Sequence, residues 1–311
     1  MNDASESSAL VPGMDPVAAA RWRGLARTAS PWLHEEIGSR MLDRLGWIKQ
    51  QPATWLHWAP LLGGLATHRR IAALYPKAQV LLAGEQAGAA ARLLRSAAAA
   101  SAGWWQGVKQ RLSGGGPGVL PAGKPAEPVD MVWANMALHL VPDPKAVLRQ
   151  WRDALRVDGF LMFSCLGPDT LRELRTLFAE HGWPVPGPEL TDMHDWGDML
   201  LEVGFTEPVM DMERLTLTYP HAERLLQDLR ETGRNLYQGR FPALRGRSYR
   251  RALCEAIERG LPRDGQGQLK LTIEVVYGHA IKAPPRVKVA SSSTVSVDDM
   301  RSMLRQPPRA H

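Results

Sequence analysis

PVDMVWANMALHLVPDPKAVLRQWRDALRVDGFLMFSCLGPDTLRELR, residues 128–175, is the stretch whose reading decides the fold. Its first apolar run, DMVWA, stops at Asn135 and is too short for a helix. PKAVLRQWRDAL, Pro144 to Leu155, repeats its apolar residues at helical spacing and closes in the turn Val157-Asp158-Gly159. FLMFSC, Phe160 to Cys165, is apolar almost throughout, as suits a strand covered on both faces. PDTLRELRTLFAEHG then reads as a helix, with Pro168 near its start and Gly182 at its end. Strand, helix, strand and helix in short succession predict an α/β fold with a parallel sheet between two helical layers.

The alternation continues outward. Upstream, TWLHWAPLLGG (Thr54–Gly64) reads as a strand and a turn, and the helix after it ends at Pro76. AQVLLA (Ala78–Ala83) is a second strand, followed by a helix of small residues. Helices are expected from Asp15 to Lys49. Downstream come a helix and turn in HDWGDMLLEVGF, a strand in MERLTLTY (Met212–Tyr219), a helix in AERLLQDLRETG and a β-branched strand in LKLTIEVVYGHAIK (Leu269–Lys282). We expect residues 1–15 to be disordered and 283–311 to form a loosely ordered tail, leaving one domain over 16–282. Pro and Gly crowd residues 113–128, which predicts a loop. In such a sheet the ligand site lies at the carboxyl ends of the strands: near Trp58–Gly64, Ala83–Gln86, Ala134–Ala137 and Cys165–Pro168.

Composition narrows the function. At 311 residues and 44% hydrophobic content the chain can bury a sizeable core. No apolar run reaches the roughly 18 residues that span a bilayer, and MNDASESSALVPG lacks the features of a secretory signal, so a cytoplasmic protein with no membrane role is expected. The two cysteines, Cys165 and Cys254, form neither a disulfide framework nor a metal-ligand spacing. A net charge of +6 favours acidic partners. Much of the excess lies between His221 and Arg251, where eight arginines face three acids and no lysine. Without a recognition motif, nucleic acid is the weakest candidate partner.

Residues 128–175 resemble the class I S-adenosylmethionine-dependent methyltransferases and, more narrowly, the malonyl-[acyl-carrier protein] O-methyltransferases of biotin synthesis and their relatives. The likeness extends to PWLHEEIGSRMLDRLGWIK, MERLTLTYPHAERLLQDLRETG and LTIEVVYGHAIK, and so covers most of Pro31–Lys282. GPDTLREL and TIEVVYGHA are its narrow signatures. The resemblance implies a Rossmann-like methyltransferase sheet with N-terminal helices and a helical lid inserted at about residues 220–265. It implies S-adenosylmethionine as cofactor, methyl transfer to a malonyl thioester carboxylate, and an acidic acyl-carrier protein as partner.

Against the family's first strand and turn, roughly Leu-Asp-Leu-Gly-Cys-Gly-Thr-Gly, this chain departs. The acid falls on His57 and two of the glycines on Ala59 and Leu61; Gly63 keeps the last. The acid that holds the ribose falls on Gly84, with Glu85 one position along, and the acid that meets the adenine falls on Gly116. Leu61 places an isobutyl group where the methionine part belongs. A one-residue shift in a strand turns a side chain to the other face, which weighs against rescue by Glu85. Two lost hydrogen bonds to charged groups weaken binding by on the order of 10²–10⁴-fold. The resemblance therefore nominates His57, Gly63, Glu85 and Asn135 for the cofactor and Arg234 and Arg240 for the acceptor carboxylate, while the residues put cofactor binding in question. His139, four residues after Asn135, and Cys165 read first as packed core side chains, as do Trp55 and Trp58.

Two functions follow. One is an O-methyltransferase of the malonyl-carrier type with an altered cofactor cradle. The alternative is a catalytically silent protein of the same fold that binds an acyl carrier or an assembly partner through its arginine-rich lid.

Overall fold

A computed structural model describes residues 13–101, 117–120 and 125–285. The expectations for residues 1–12 and for the tail beyond 285, and the positions of Gly116, Trp104 and Trp105, lie outside the described residues. Two helices, α1 (Pro16–Arg23) and α2 (Trp32–Leu45), precede the sheet. Then follow β1 (Thr54–Trp58), the short α3 (Pro60–Gly63), α4 (Leu65–Leu74), β2 (Gln79–Ala83), α5 (Ala87–Ser101) and β3 (Gly118–Val119). The second half runs β4 (Val129–Ala134), a 3-10 turn (Leu138–Leu140), α6 (Pro144–Ala154), β5 (Leu155–Leu166), α7 (Arg172–Glu180), α8 (Met193–Glu202) and β6 (Phe205–Tyr219). It closes with α9 (Ala222–Thr232), α10 (Arg247–Gly260) and β7 (Leu269–Lys282).

The seven strands lie in the order β3-β2-β1-β4-β5-β7-β6, and only β7 runs antiparallel to its neighbours. This is the Rossmann-like class I methyltransferase sheet. Chain order reverses between β1 and β4, the switch point where such sheets open a crevice at the carboxyl ends of their strands. Helices α9 and α10 are inserted between β6 and β7.

Alternation along each strand divides the core. Leu56, Val132, Leu161 and Phe163 face Trp151 of α6 and Trp196 of α8. Trp55, Met131, Trp133 and Phe160 face Ile37 and Met41 of α2 and Ile71 of α4. The register is set early. Asp130 Oδ2 accepts the backbone N–H groups of Ala53 and Thr54, both at 2.7 Å, and so pins the start of β1 to β4. Asp143 caps α6 by accepting from Ala146 N at 2.9 Å, with Pro144 in the first turn. On β7, the Phe163 ring lies where a Cβ on Gly278 would stand, so glycine there lets the β5 ring pack flat on its neighbour.

Candidate functional site

The turn after β1 keeps the backbone of a glycine loop although only the last of the motif's glycines, Gly63, remains. Ala59 holds φ 47° and ψ 54°, a left-handed conformation that disfavours a Cβ. Its N–H donates to Ala83 O at 2.8 Å, which holds it against the end of β2. The N–H groups of Leu62 and Gly63 donate to Ala59 O, and that of Gly64 to Pro60 O, so α3 spends these donors within the turn. Leu61 does not fill the ligand position assigned to it above: it packs among Leu82, Ala87, Ala90 and Leu94 on α5 and β2. Leu62, the next residue, lines the slot instead.

Strand alternation does not extend to Glu85. β2 stops at Ala83, and the next three residues form a turn with φ 83° at Gly84 and 60° at Gln86. Glu85 therefore projects from a turn and lines the slot. At Gly84 a Cβ would stand 3.0 Å from Ala59 N on a backbone of φ 83°, so an acid there would be both crowded and strained.

What remains between the ends of β1, β2 and β4 is a cavity of about 10 Å³ walled by Arg23, Trp58, Ala59, Leu62, Glu85 and Leu140, among others. That is room for about one water, whereas pockets for ligands of cofactor size hold roughly 300–1,000 Å³. Arg23 of α1 takes the space. Its Nε donates to Glu85 Oε1 at 2.6 Å and its Nη1 to Leu140 O at 2.7 Å. In this arrangement S-adenosylmethionine does not fit.

The other residues nominated for the cofactor form a buried framework beside the slot. Asn135 donates its amide to His34 O (2.7 Å) and Gly63 O (2.5 Å), and its Oδ1 accepts from Ser164 Oγ at 2.6 Å. It thus ties α2, α3 and β5 together at one point. Gly63 fits against this latch; a Cβ there would stand 3.2 Å from Asn135 O and 3.3 Å from His57 Nε2. His57 is fully buried and stacks on both Trp55 and His68, which also touch each other, with its Nδ1 3.0 Å from His68 Nδ1. Burial holds the His57 imidazole well below its usual range and brings His68 down to about 4, so both rings are neutral. His57 Nε2 has no partner among the described residues. A lone pair is cheaper to leave unpaired than an N–H, so His57 is the Nδ1–H donor of this pair.

Next to the slot, a larger cavity of about 220 Å³ opens between the strand ends and the inserted helices. Its floor includes Met136, His139 and Leu166, its roof Leu226, Leu229 and Leu253, and Leu140 is a wall of both cavities. His139 accepts from Leu166 N at 3.4 Å on Nδ1, and burial lowers its pKa to about 3, so it is neutral. Two guanidinium groups reach this apolar space. Arg234, foreseen from the sequence, lies with its Cζ 4.9 Å from the Trp22 ring centroid and donates to Gly233 O and Arg230 O. Arg175, not foreseen, donates to Pro188 O at 2.9 Å and Thr170 O at 3.3 Å. Burial lowers the pKa of both. Neither forms an ion pair with a carboxylate among the described residues. Arg240 is elsewhere: it donates to Asp15 Oδ2 at 2.6 Å and to Tyr237 O at 2.8 Å. The signal for Arg175 lay in GPDTLRELR, where it reads only as the polar face of α7; what brings it inward is the Gly187–Pro188 loop, far from any motif.

No family model matches the chain. A malonyl-[acyl-carrier protein] O-methyltransferase of Gallionella capsiferriformans (strain ES-2) is 42% identical over 264 residues, spanning 83% of this chain and 87% of that protein. The enzyme of the same name from Laribacter hongkongensis is 38% identical over 286 residues, or 89% of this chain and 90% of its own length. Among solved structures, a candidate methyltransferase of Bacillus halodurans C-125 aligns over 80% of this chain and all of its own, with a TM-score of 0.50 at 12% identity. That likeness is one of fold. None of these likenesses supports the reading of the chain as a silent partner-binding protein.

Proposed function

The chain belongs to the malonyl-[acyl-carrier protein] O-methyltransferase family, and from that premise we propose that it acts on a malonyl thioester carried by an acyl-carrier protein, with the free malonyl carboxylate as methyl acceptor. The observation that carries this reading is the 220 Å³ apolar cavity with two arginines at its wall, neither of them in a salt bridge among the described residues, with Glu189 acting on Arg175 only through its field. Such a site wants an anion with an apolar neighbour. A charge-assisted bond from each guanidinium would fix the malonyl carboxylate, while the leucines around it exclude water. That carboxylate is ionised near neutral pH and needs no general base, which agrees with the neutral His34 and His139 in the cavity wall. The methyl donor of the family is S-adenosylmethionine, whose sulfonium supplies an electrophilic methyl group when bound. The chain's own part is to hold and orient the acceptor.

In this reading Arg234 and Arg175 share the carboxylate, whereas Arg240 serves the N-terminal helix. Among the described residues Glu85 is the one acid that lines the cofactor slot, and His57, Gly63 and Asn135 shape the turn beside it. Residues 220–265 act as the lid. The outer surface of α10 supplies the dock for the acidic carrier. Glu223, Glu255 and Glu258 share that surface, and Glu255 pairs with Arg251 and Arg259, but Arg247 and Arg250 form no salt bridge among the described residues; Arg245 lies against the rings of Phe241 and Tyr249 beside a fully exposed Leu244. A cationic surface with apolar contacts speeds encounter with an acidic partner and loses strength in salt.

The test compares malonyl-carrier with acetyl-carrier protein by calorimetry. Malonyl-carrier should bind more tightly, and Arg175→Ala and Arg234→Ala should each weaken it about tenfold while leaving acetyl-carrier binding unchanged. Mass spectrometry of the carrier then reads methyl ester formation. Equal binding of the two carriers, indifferent to both variants, would overturn the assignment.

A further inference from the structure

We propose that residues 13–27 are an internal strap that occupies the cofactor slot, competes there with S-adenosylmethionine and holds the loop 236–240 down with it. The proposal takes the identity of the cofactor from the family reading; the strap contacts stand without it.

Three sets of contacts define the strap. At the slot, Arg23 engages Glu85 and Leu140 O, the acceptors that the ends of β2 and β4 turn towards a ligand. Gln86 holds the main chain behind it, donating to Arg23 O (2.9 Å) and Leu25 O (2.5 Å), while its Oε1 accepts from Arg27 N at 3.3 Å. In the middle, Met14, Ala19 and Trp22 pack with Leu62 of the turn, Leu140 of the shared wall and Leu236 of the insertion. At the far end, Asp15 N donates to Leu236 O and Gln238 N to Gly13 O, at 2.8 and 2.7 Å, and Asp15 pairs with Arg240. One short segment therefore closes the slot and pins the loop beside the acyl cavity.

The strap is built to come off. α1 has eight residues, too few to be stable alone in water, so its order depends on these contacts. It precedes β1 in the chain, so its release takes no strand out of the sheet. Of the residues that line the slot, Arg23 is the one the strap contributes; Trp58, Ala59, Leu62 and Glu85 come from the strand ends and the turns after them. A ligand that needs the open form binds with its affinity divided by the fraction of chains that are open, and a variant that loosens the strap removes that penalty.

The experiment titrates S-adenosylhomocysteine by calorimetry into the full-length chain and into Arg23→Ala and Asp15→Asn, which loosen the strap from opposite ends. Arg23→Ala should bind about tenfold more tightly or better than the parent, and Asp15→Asn should move the same way. Hydrogen exchange should show the amides of Val17–Trp22 and of Gln238 losing protection together when the ligand binds the parent chain. Equal affinity in all three proteins would overturn the proposal. So would ligand binding that leaves those amides protected. If Arg23→Ala is folded by circular dichroism and still takes no ligand at millimolar concentration, the turn at Ala59 rather than the strap excludes the cofactor, and the proposal also fails. Failure of the malonyl reading would show separately, as equal binding of malonyl- and acetyl-carrier by every variant.

Discussion

Asn135→Asp exchanges one amide NH2 for an oxygen and leaves the shape of the side chain unchanged, which makes it a sharp test of the latch. In the parent chain the amide nitrogen serves His34 O and Gly63 O, in a site 1% exposed. An ionised carboxylate at this position would offer both carbonyls an acceptor; a protonated one could donate to a single carbonyl. At least one hydrogen bond of about 1 kcal/mol is lost, and the oxygen deprived of its donor adds a desolvation cost of about 1–3 kcal/mol. With the repulsion between oxygens the total is about 3 kcal/mol, or roughly 6–12 °C in Tm for a domain of this size. The bond from Ser164 Oγ survives the change. Burial raises the pKa of the new acid in the folded state, so the folded state holds its proton to higher pH than the unfolded chain. The destabilisation is accordingly least below about pH 4, the ordinary aspartate value, and grows as pH rises towards the raised one. Urea melts at pH 5 and pH 8 measure both effects, provided the slope of the transition is unchanged. If Asn135→Asp melts with the parent and differs only in ligand binding, Asn135 is a cleft residue and the latch argument is wrong.

The buried histidines make the chain acid-sensitive. His34 and His68 are held at about 4 and His139 at about 3 by burial, so protonation favours the unfolded chain as pH falls below about 6.5; each should cost on the order of 2 kcal/mol between pH 7 and pH 5, and equal urea midpoints at those two pH values would refute it. Gly278→Ala drives a methyl into the Phe163 ring and should destabilise the fold by about 1–3 kcal/mol in the same assay, whereas Gly187→Ala, with nothing within 4 Å, should change little. Cys165 is fully buried and its thiol is pushed up in pKa by burial, while Cys254 is only half-buried. Titration with a thiol reagent at pH 8 should therefore consume one equivalent in the native chain and two in denaturant.

Much of the fold was legible because it is written in local pattern. FLMFSC lies within β5 and LKLTIEVVYGHAIK is β7, since composition and spacing alone specify strands buried on both sides. β6 is nearly twice the length of MERLTLTY because its first half, on the sheet edge, alternates through Thr206, Glu207 and Asp211 and looks too polar for a strand. The site was harder to read. Asn135 was visible as a strand end, but its partners His34 and Gly63 lie 101 and 72 residues away. Arg23 meets Glu85 across 62 residues and belongs to a segment with no motif. Glu85 was misjudged because the strand period was carried past Ala83, where two residues of positive φ end it. Periodicity reports which face a residue takes inside an element; it reports nothing once the element has stopped.

The two altered positions at the strand ends differ in how far they are from repair. At Ala59 the main chain already has the left-handed form, so Ala59→Gly would remove a Cβ and relieve strain without moving an atom of the backbone. At Gly84 the way back costs more, because the main chain holds φ 83° and a Cβ would stand 3.0 Å from Ala59 N, so the tips of β1 and β2 would have to part by a few tenths of an ångström. A nucleotide cradle rebuilt in this chain would have to take its ribose partner from Glu85 and its turn from residue 59. Geometry then separates the two changes: a glycine at 59 fits the main chain as it stands, whereas a side chain at 84 meets the backbone of residue 59, which no substitution there removes.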